Sequence, residues 1–411
     1  MSSEKGFSVC YVVPGHNLLS SAGPSRNVLS LAGALAEWAN VTIAFRRVLE
    51  PASTGRFTIL EIDPVSGRPP RRVDDAAVRG VGYGEFATYL RGLRRFATER
   101  LAAYDVVLEK SWLLSGYVSS LCRRRGIPAI PIENLVPEVD GARRDLMKAG
   151  RIRIGRWMAG RYLRSAPLIV AETEYLKAAI TRRWRVAPER IEVIGVGVDR
   201  SIFRPLDQAE ARGRLGIPAH ATVLLYVGVL DRAHDLGPAL DAVAAIASPS
   251  LRLHVVGDGA LRTELEQRAG VATQGAVRFH GRVPHEDVPR YVAAADLCLA
   301  PYDPAVFPDG EVGYATLKVR EYLASGRPVA TVPSGTLREL IADGVTGFFF
   351  ANDRASWREF LERGLPDRAR LREMGVAAAA TPLGSWEDAA RAYRSVCERA
   401  MRQAREQEGA P

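Results

Sequence analysis

The sequence is poor in cysteine and contains no long apolar run. Its four cysteines, Cys10, Cys122, Cys298 and Cys397, are widely separated, so no pair has the spacing of a metal site and reduced thiols are expected. No apolar stretch approaches the ~20 residues needed to cross a bilayer. The polar first residues lack the charged and apolar regions of a secretion signal. These absences predict a cytoplasmic protein without a membrane span.

The charge balance is basic, and lysine is scarce among the cations. The 411 residues include 56 Lys and Arg against 47 Asp and Glu, a formal net charge of +9, and only five of the cations are lysines. Coding bias in a GC-rich bacterium explains this composition, and so does a need for arginines that bind phosphate or anionic lipid. No stretch interleaves basic and aromatic residues as a nucleic-acid platform does, so no nucleic-acid partner is predicted.

Short apolar runs alternate with amphipathic stretches of helix length along the whole chain. This alternation favours an α/β fold, with parallel sheets covered by helices on both faces. Predicted strands of the first half are 7–13, 41–45, 57–62, 106–109, 129–132 and 168–171, with helices at 25–38, 86–101, 114–124, 141–164 and 173–184. Predicted strands of the second half are 222–228, 251–256, 277–280, 297–300, 328–331 and 347–350, with helices at 236–247, 260–269, 285–294, 316–325 and 336–342.

The pattern predicts two Rossmann-like, doubly wound domains and a C-terminal helix. The domains comprise residues 1–195 and 196–383, and a turn-rich stretch at 195–205 forms the hinge. Residues 384–411 contain a long helix that packs back toward the first domain. Ligands of open α/β sheets bind beyond the carboxyl ends of the strands, so two facing sheets place a site in the cleft between them.

A glycine-bearing loop at 309–315 leads into a predicted helix that begins near Thr316. Lys318, in the first turn, adds positive charge to a helix N-terminus that already suits phosphate. Glu321, three residues later, is placed to accept hydrogen bonds from a ribose diol. A solvated ion pair between Lys318 and Glu321 is the alternative interpretation. Three apolar residues at helical spacing form the predicted buried stripe of this helix: Val319, Tyr322 and Leu323.

Three other loops follow predicted strands and carry residues suited to a ligand. Gly15 and Gly23 belong to a loop that leads into a helix, where free amides suit an anion, although an ordinary strand–helix connection fits the spacing equally. Arg232 either reaches a phosphate bidentately or stays solvated. Glu133 and Asn134 either touch a substrate or belong to a helix-cap and turn cluster.

A predicted basic helix at 143–164 carries eight basic residues and one acidic residue. Its apolar side chains are Leu146, Met147, Ile154, Trp157, Met158 and Tyr162. Such a helix is able to lie on an anionic membrane. Inward packing of the apolar side, with the arginines in water, is favoured over membrane contact, and binding to vesicles is not expected.

Five segments, taken in order, carry a resemblance to a known family. They are residues 193–205, 225–230, 253–259, 277–283 and 318–329. The last reads Lys-Val-Arg-Glu-Tyr-Leu-Ala-Ser-Gly-Arg-Pro-Val, and the loop near Gly23 fits as well. These segments resemble retaining glycosyltransferase family 4, whose GT-B fold consists of two Rossmann-like domains facing a cleft. The match spans most of the chain.

The resemblance implies transfer of a hexosyl group from a UDP-type or GDP-type sugar, with the anomeric configuration retained and without a metal ion or other cofactor. It places the donor on the second domain and a small-molecule, lipid or glycan acceptor mainly on the first. We assign catalysis to Glu133, Arg232 and Lys318. We assign donor binding to Gly23, Arg232, Arg282, Gly313, Thr316, Leu317, Lys318 and Glu321. Glu321 matches the family glutamate that binds the ribose hydroxyls.

The chain departs from the family pattern at several positions. Gly313 takes the place of the first glutamate of a two-glutamate motif, and Glu311 stands two residues earlier. Val229 replaces the usual arginine after Tyr-Val-Gly, and residues 234–235 replace the usual Lys-Gly pair. Glu133 stands where a histidine is common.

The missing cations leave the leaving-group charge to Arg232 and Lys318 in this interpretation. Two alternatives stay open. One is a GT-B sugar-nucleotide epimerase or hydrolase, which needs no acceptor. The other is a non-catalytic partner subunit, motivated by Gly313 and Val229.

Overall fold

The computed structural model describes residues 6–19, 23–50, 55–62, 83–134, 146–272 and 275–408. The chain forms two compact units. Unit 1 comprises Met1–Gly197 and Trp386–Pro411, and unit 2 comprises Val198–Ser385. Within the described ranges each unit has one sheet whose strand pairs are all parallel, which confirms the predicted α/β class.

Unit 1 is a doubly wound sheet with the strand order β3-β2-β1-β4-β5-β6-β7. Its strands are β1 (Ser8–Val13), β2 (Asn40–Phe45), β3 (Thr58–Glu61), β4 (Val106–Lys110), β5 (Ala129–Glu133), β6 (Ile169–Ala171) and β7 (Ile191–Val193). Its helices are α1 (Gly23–Leu35), α2 (Tyr83–Arg100), α3 (Tyr117–Arg123), α4 (Leu146–Ser165), α5 (Glu174–Trp184) and the C-terminal α14 (Trp386–Glu408). The order reverses between β1 and β4, so their carboxyl ends form the point where such sheets bind ligands.

Helix α14 packs within unit 1, against α1, β4 and β5. Its Tyr393 and Cys397 side chains are buried. Arg394 lies over the ring of Trp38, 5.8 Å from its centre. Arg399 forms an ion pair of 2.9 Å with Glu192 of β7. The last helix therefore covers the first sheet, because its apolar side faces α1 and the strands.

Helix α4 packs with a different face from the one that its apolar residues suggest. Ile152, Ala159 and Leu163 are buried and lie on one side of the helix. Ile154 and Trp157 are 62% and 65% exposed. The expectation that the apolar side of the basic helix packs inward is therefore wrong for these two residues, since the small and aliphatic residues of the opposite face fill the contact with the core.

Unit 2 is a doubly wound sheet with the strand order β10-β9-β8-β11-β12-β13. Its strands are β8 (Thr222–Val227), β9 (Leu251–Val256), β10 (Val277–Gly281), β11 (Leu297–Ala300), β12 (Val329–Thr331) and β13 (Gly347–Phe349). Its helices are α6 (Gln208–Leu215), α7 (Gly237–Ile246), α8 (Arg262–Ala272), α9 (Val288–Ala294), α10 (Leu317–Ala324), α11 (Leu337–Leu340), α12 (Arg354–Glu359) and α13 (Arg368–Ala379). The order reverses between β8 and β11, which form the switch point of this sheet.

Four of these elements were not predicted: β7, α6, α12 and α13. Strand β7 has three residues, and α6 buries only two of its eight, so neither shows a clear apolar period. Helices α12 and α13 are directly preceded by Asp353 and Asp367, whose side chains cap the first turn. The helix predicted at 141–164 is described from Leu146 onward, and its earlier residues lie outside the described ranges.

Candidate functional site

The Lys318 ammonium lies at the switch point of unit 2. Its Nζ atom is 3.3 Å from the Tyr226 hydroxyl, 4.7 Å from the centre of the Tyr226 ring and 5.5 Å from that of Tyr302. Tyr226 belongs to β8, and Tyr302 follows β11 by two residues. Two aromatic faces thus hold the cation at the sheet edge where open α/β folds bind ligands.

The glycine after β8 leaves the space that this ammonium occupies. A Cβ atom on Gly228 would lie 2.6 Å from Lys318 Nζ, and the φ angle of Gly228 is 151°, which side-chain-bearing residues rarely adopt. A Cβ on Gly257 would lie 1.9 Å from the Gly228 carbonyl oxygen. Glycine at both positions is therefore required for the loops after β8 and β9 to lie against each other beside Lys318.

The ammonium of Lys318 is held in a poorly solvated place. Burial lowers its pKa to about 7, and the carboxylates of Asp231 and Glu321 oppose this shift only in part. The side chain is therefore close to losing its proton at neutral pH. An anion bound beside it would raise this pKa again, because opposite charge favours the protonated form.

Asp231 and His234 form a polar wall near Lys318. The Asp231 carboxylate accepts hydrogen bonds from the backbone N–H groups of Ala233 and His234, at 3.0 and 3.1 Å. It also lies 2.8 Å from His234 Nδ1, while Nε2 lies 3.3 Å from the Tyr314 hydroxyl. Burial lowers the pKa of His234, and the charge of Lys318 acts in the same direction. His234 is thus neutral at neutral pH, so of these two side chains Lys318 is the one that carries positive charge when protonated.

The N-terminus of α10 adds backbone donors beside Lys318. A helix leaves its first four N–H groups without intrahelical partners, and this end attracts anions. The Tyr322 hydroxyl accepts a hydrogen bond of 2.8 Å from the Val227 N–H, which fixes α10 against β8. Thr316, directly before the helix, is buried. Val319, Tyr322 and Leu323 are buried as well, which confirms the predicted stripe.

Glu321 lies one turn after Lys318 and is half-buried, while Gly313 is buried in the preceding loop. Glu311, the carboxylate two residues before Gly313, is engaged in contacts within unit 2. Its carboxylate accepts a hydrogen bond of 2.9 Å from the Ser334 hydroxyl and pairs with Arg338 at 3.0 Å. These contacts fasten the loop to the segment after β12, so the Glu311 side chain has a structural task.

The two predicted arginines of unit 2 lie on exposed loops. Arg232 begins the short turn Arg232–His234, which Asp231 caps, so it adjoins the wall beside Lys318. Arg282 follows β10, with its Nε atom 3.8 Å from Asp258. Strand β9 lies between β10 and β8 in the sheet. Of the two arginines, Arg232 is therefore the one that adjoins the switch point.

In unit 1, three carboxylates are buried at the ends of β4 and β5 and after β6. Glu109 caps α3 by accepting a hydrogen bond of 2.7 Å from the Ser119 N–H. Glu172 lies 3.5 Å from the buried ammonium of Lys110. Glu133 is 1% exposed, and neither of its oxygens has a hydrogen-bond partner among the described residues. The other two carboxylates accept hydrogen bonds, Glu109 from backbone N–H groups of α3 and Glu172 from Lys110.

Burial raises the pKa of Glu133 to about 8. The charges of Glu109 and Glu172 act in the same direction, and Ser115 and Lys110 oppose it. The carboxyl group therefore keeps its proton at neutral pH. The neighbouring Asn134 accepts a hydrogen bond from the Ser111 hydroxyl, which is the turn cluster foreseen as the alternative for this loop.

The loop after β1 is explained in part by packing. A Cβ atom on Gly15 would lie 2.7 Å from the Trp112 Cβ atom, so glycine is needed where this loop meets the one after β4. Gly23 is the first residue of α1, and residues 20–22 lie outside the described ranges. The anion contact assigned to Gly23 stays a prediction.

Sequence reasoning missed Tyr226, Tyr302, Asp231 and His234 at the lysine site, and Lys110 at the acidic one. The two tyrosines lie at the end of an apolar strand or just after one, so the sequence pattern indicates ordinary core residues. Asp231 and His234 lie in the loop after β8, where the sequence pattern points only to Arg232 as a ligand-binding residue. The charged residue at the end of β4 was a usable signal, since a buried strand rarely ends in lysine without a partner.

Two family descriptions match the chain. "Glycosyltransferase Family 4" covers residues 22–202, and "Glycosyl transferases group 1" covers residues 221–367. A D-inositol 3-phosphate glycosyltransferase from Nocardioides sp. is 30% identical over 348 residues, which are 79% of this chain and 73% of that protein.

Solved structures share the fold. Sucrose-phosphate synthase from Thermosynechococcus elongatus matches with a TM-score of 0.75 at 20% identity, covering 95% of this chain and 98% of that one. Anabaena HepE, solved in complex with UDP and glucose, matches with a TM-score of 0.69 at 16% identity, covering 96% and 100%. The two doubly wound units thus define a GT-B glycosyltransferase. The chain belongs to glycosyltransferase family 4, as its motifs predicted.

Proposed function

We propose that the protein is a retaining hexosyltransferase that uses a UDP-type or GDP-type sugar donor without a metal ion. The observation that carries this proposal is the Lys318 ammonium at the switch point of unit 2, beside the N-terminus of α10. A departing diphosphate gains negative charge as the glycosidic bond breaks, and preorganised donors stabilise it. Lys318, Arg232 and the first amides of α10 supply these donors.

The donor nucleoside is assigned to the segment around α10. Glu321 accepts hydrogen bonds from the ribose diol, one turn from the lysine that meets the diphosphate. Gly313, Thr316 and Leu317 bring backbone groups to the donor, and the lack of a side chain at Gly313 leaves room for its sugar. The predicted donor contacts of Arg282 and Gly23 complete the assignment.

The relatives support this class of donor and of acceptor. HepE was solved with UDP and glucose, which are the parts of a nucleoside diphosphate sugar. The curated relatives are named for D-inositol 3-phosphate, a small molecule with several hydroxyl groups. We accordingly propose a hydroxyl group as the acceptor of the hexose.

Glu133 is assigned to the acceptor or to the reacting sugar. Its carboxyl group lies at the carboxyl end of β5, is buried, and has a pKa near neutrality, which suits a group that exchanges or shares a proton. The other two buried carboxylates of unit 1 have partners: Glu109 accepts a hydrogen bond from the backbone of α3, and Glu172 forms an ion pair with Lys110. In this assignment Glu133 is the residue of unit 1 that takes part in the transfer reaction.

We place the reaction in the cytoplasm. All four cysteines are free and buried, and a reducing compartment keeps such thiols unpaired. Burial raises the pKa of Cys122 to about 12, so this thiol does not form a reactive thiolate at neutral pH.

Replacing Glu321 with alanine should weaken the binding of UDP or GDP about tenfold or more, because buried ribose hydroxyls lose a charged acceptor. Calorimetric titration of the full chain measures the dissociation constant. Thermal unfolding without nucleotide should stay close to wild type, since the residue is half-buried and lies at the site rather than in the core.

The matched control is Glu339→Ala, which removes an exposed carboxylate from α11 of the same unit. Its nucleotide affinity should equal that of wild type. Equal affinities for Glu321→Ala and wild type would show that the ribose is bound by another group.

A further inference from the structure

An exposed face of α4 combines two large apolar side chains with arginines. The face consists of Arg153, Ile154, Trp157, Arg161 and Arg164, all exposed, and is called the α4 outer face below. At 3.6 residues per turn these five positions lie within about 100° of the helix circumference. They oppose the buried side of the helix, so they form one continuous surface of unit 1.

The apolar pair on this face is unusual for a soluble surface. Trp157 is 65% exposed and Ile154 is 62% exposed, and they are neighbours on the helix, three residues apart. The other exposed large apolar residues of the described chain are scattered singly: Leu206, Val229, Val345 and Val376. A contiguous exposed pair that includes tryptophan indicates a surface that is covered in use.

The charge of the helix is entirely of one sign. The printed sequence of α4 contains six basic residues and no acidic residue. No carboxylate lies within ion-pair distance of Arg153, Arg161 or Arg164 in the part of the chain that the structure describes. The outer face therefore presents unneutralised cations around an apolar pair.

We propose that the α4 outer face binds the surface of an anionic lipid bilayer. Tryptophan is the side chain that favours the boundary between headgroups and acyl chains, and isoleucine adds apolar area next to it. The guanidinium groups beside them reach the phosphate level of the headgroups, where each basic residue adds attraction. A soluble polyanion would pair with the arginines but has no apolar phase for Trp157 and Ile154. An anionic bilayer has both negative headgroups and an apolar interior, so it matches the arginines and the apolar pair together.

This binding is peripheral. No helix among the described residues is long and apolar enough to span a membrane. The inference goes beyond the proposed transfer reaction and does not rest on it, because it concerns a surface and not the sites at the sheet ends. It also reverses the expectation from sequence, which rested on inward packing of these two side chains.

The test is flotation of the full chain with vesicles of phosphatidylcholine alone and of phosphatidylcholine with phosphatidylglycerol, at physiological ionic strength. Wild type should float with the anionic vesicles and not with the neutral ones. Ile154→Ser with Trp157→Ser should reduce the partition coefficient about tenfold or more. Arg153→Gln and Arg161→Gln should each reduce it about fivefold.

The matched control is Val376→Ser with Arg372→Gln, an exposed valine and arginine on α13 of unit 2. This variant should float like wild type. All substitutions are at exposed positions, and circular dichroism and thermal unfolding check that each variant is folded.

Three results would overturn the inference. Wild type that stays in the soluble fraction with anionic vesicles shows that the face binds no bilayer. Binding that the α4 variants leave unchanged shows that another surface is responsible. Binding to soluble heparin that competes fully with vesicles, and that does not need Trp157, shows a site for polyanions in general.

Discussion

Replacing Lys318 with alanine should lower turnover by about 10²–10³, the loss that follows removal of one charged donor from a developing anion. Affinity for the nucleoside diphosphate should fall much less, because the charge grows during bond breaking and is largest in the transition state. The expectation rests on the ammonium between Tyr226 and Tyr302 and on the lack of the two family cations after Gly228. Arg232→Ala should approach the same loss.

Steady-state kinetics of both single variants and the double variant measure this effect. If Lys318 and Arg232 act as a unit, the double variant loses less than the product of the two losses. Lys177→Ala, at a half-buried lysine of α5 in unit 1, is the matched control and should keep normal turnover. A chelator should leave wild-type activity unchanged. Near-normal turnover of Lys318→Ala, or inactivation by the chelator, would show that another group or an ion carries the charge.

Replacing Glu133 with glutamine should stabilise unit 1 at alkaline pH by an amount on the order of 4 kcal/mol. The folded state holds this carboxyl with a pKa of about 8, against 4.5 for an exposed glutamate. Between these values the unfolded chain releases the proton and the folded chain keeps it, so wild-type stability falls as pH rises through this window. Glutamine has no proton to lose, and the gain should vanish below the lower value.

Urea unfolding followed by tryptophan fluorescence at pH 5 and pH 9 measures the difference. Five of the six tryptophans belong to unit 1, so the signal reports mainly on its unfolding. The exposed Glu189→Gln serves as the control and should differ from wild type by less than about 0.5 kcal/mol at either pH. A Glu133→Gln variant whose advantage is the same at both pH values would contradict a protonated buried carboxyl.

The same variant tests the catalytic assignment of Glu133 separately from its effect on stability. Turnover should fall, and affinity for UDP or GDP should stay unchanged, because all assigned donor-binding groups except Gly23 belong to unit 2. Normal turnover with the true acceptor would leave Glu133 a structural residue.

Much of the fold was predictable because buried parallel strands appear in the sequence as short runs of apolar residues. Strands β9 and β11 have the bounds that the apolar pattern predicted, at 251–256 and 297–300. Strand β7 was missed because it has only three residues, and helix α6 because only two of its eight residues are buried. Helix α4 was predicted, but the side that packs inward was not. Helical spacing places apolar residues on two sides of this helix, and only one of these sides contacts the core.

The site was predictable where one short segment contains it. Lys318 and Glu321 were found from their place in the first turns of α10, next to a glycine-bearing loop. The tyrosines that surround the lysine were not, because Tyr226 lies 92 residues away and their proximity depends on which strands are neighbours in the sheet. The order of strands in a sheet is a tertiary property, and a local sequence pattern does not predict it.

The departure at Gly313 also needed the structure for its interpretation. From the sequence, Glu311 was a nearby carboxylate that stood two residues early. Its contacts with Ser334 and Arg338 show that it stabilises the loop. In the proposed donor assignment the sugar therefore lies beside a glycine at this position, where the family pattern has a glutamate.

The most direct test of the account is calorimetric titration of UDP and GDP into the full chain at about pH 8, in buffers of different ionisation enthalpy. Free Lys318, with a pKa of about 7, is mostly deprotonated there, and a bound diphosphate raises this pKa. We predict one site with uptake of about one proton for each nucleotide bound, and no uptake in Lys318→Met. Absence of binding by any nucleoside diphosphate, or the same proton uptake in Lys318→Met as in wild type, would contradict a diphosphate held by Lys318.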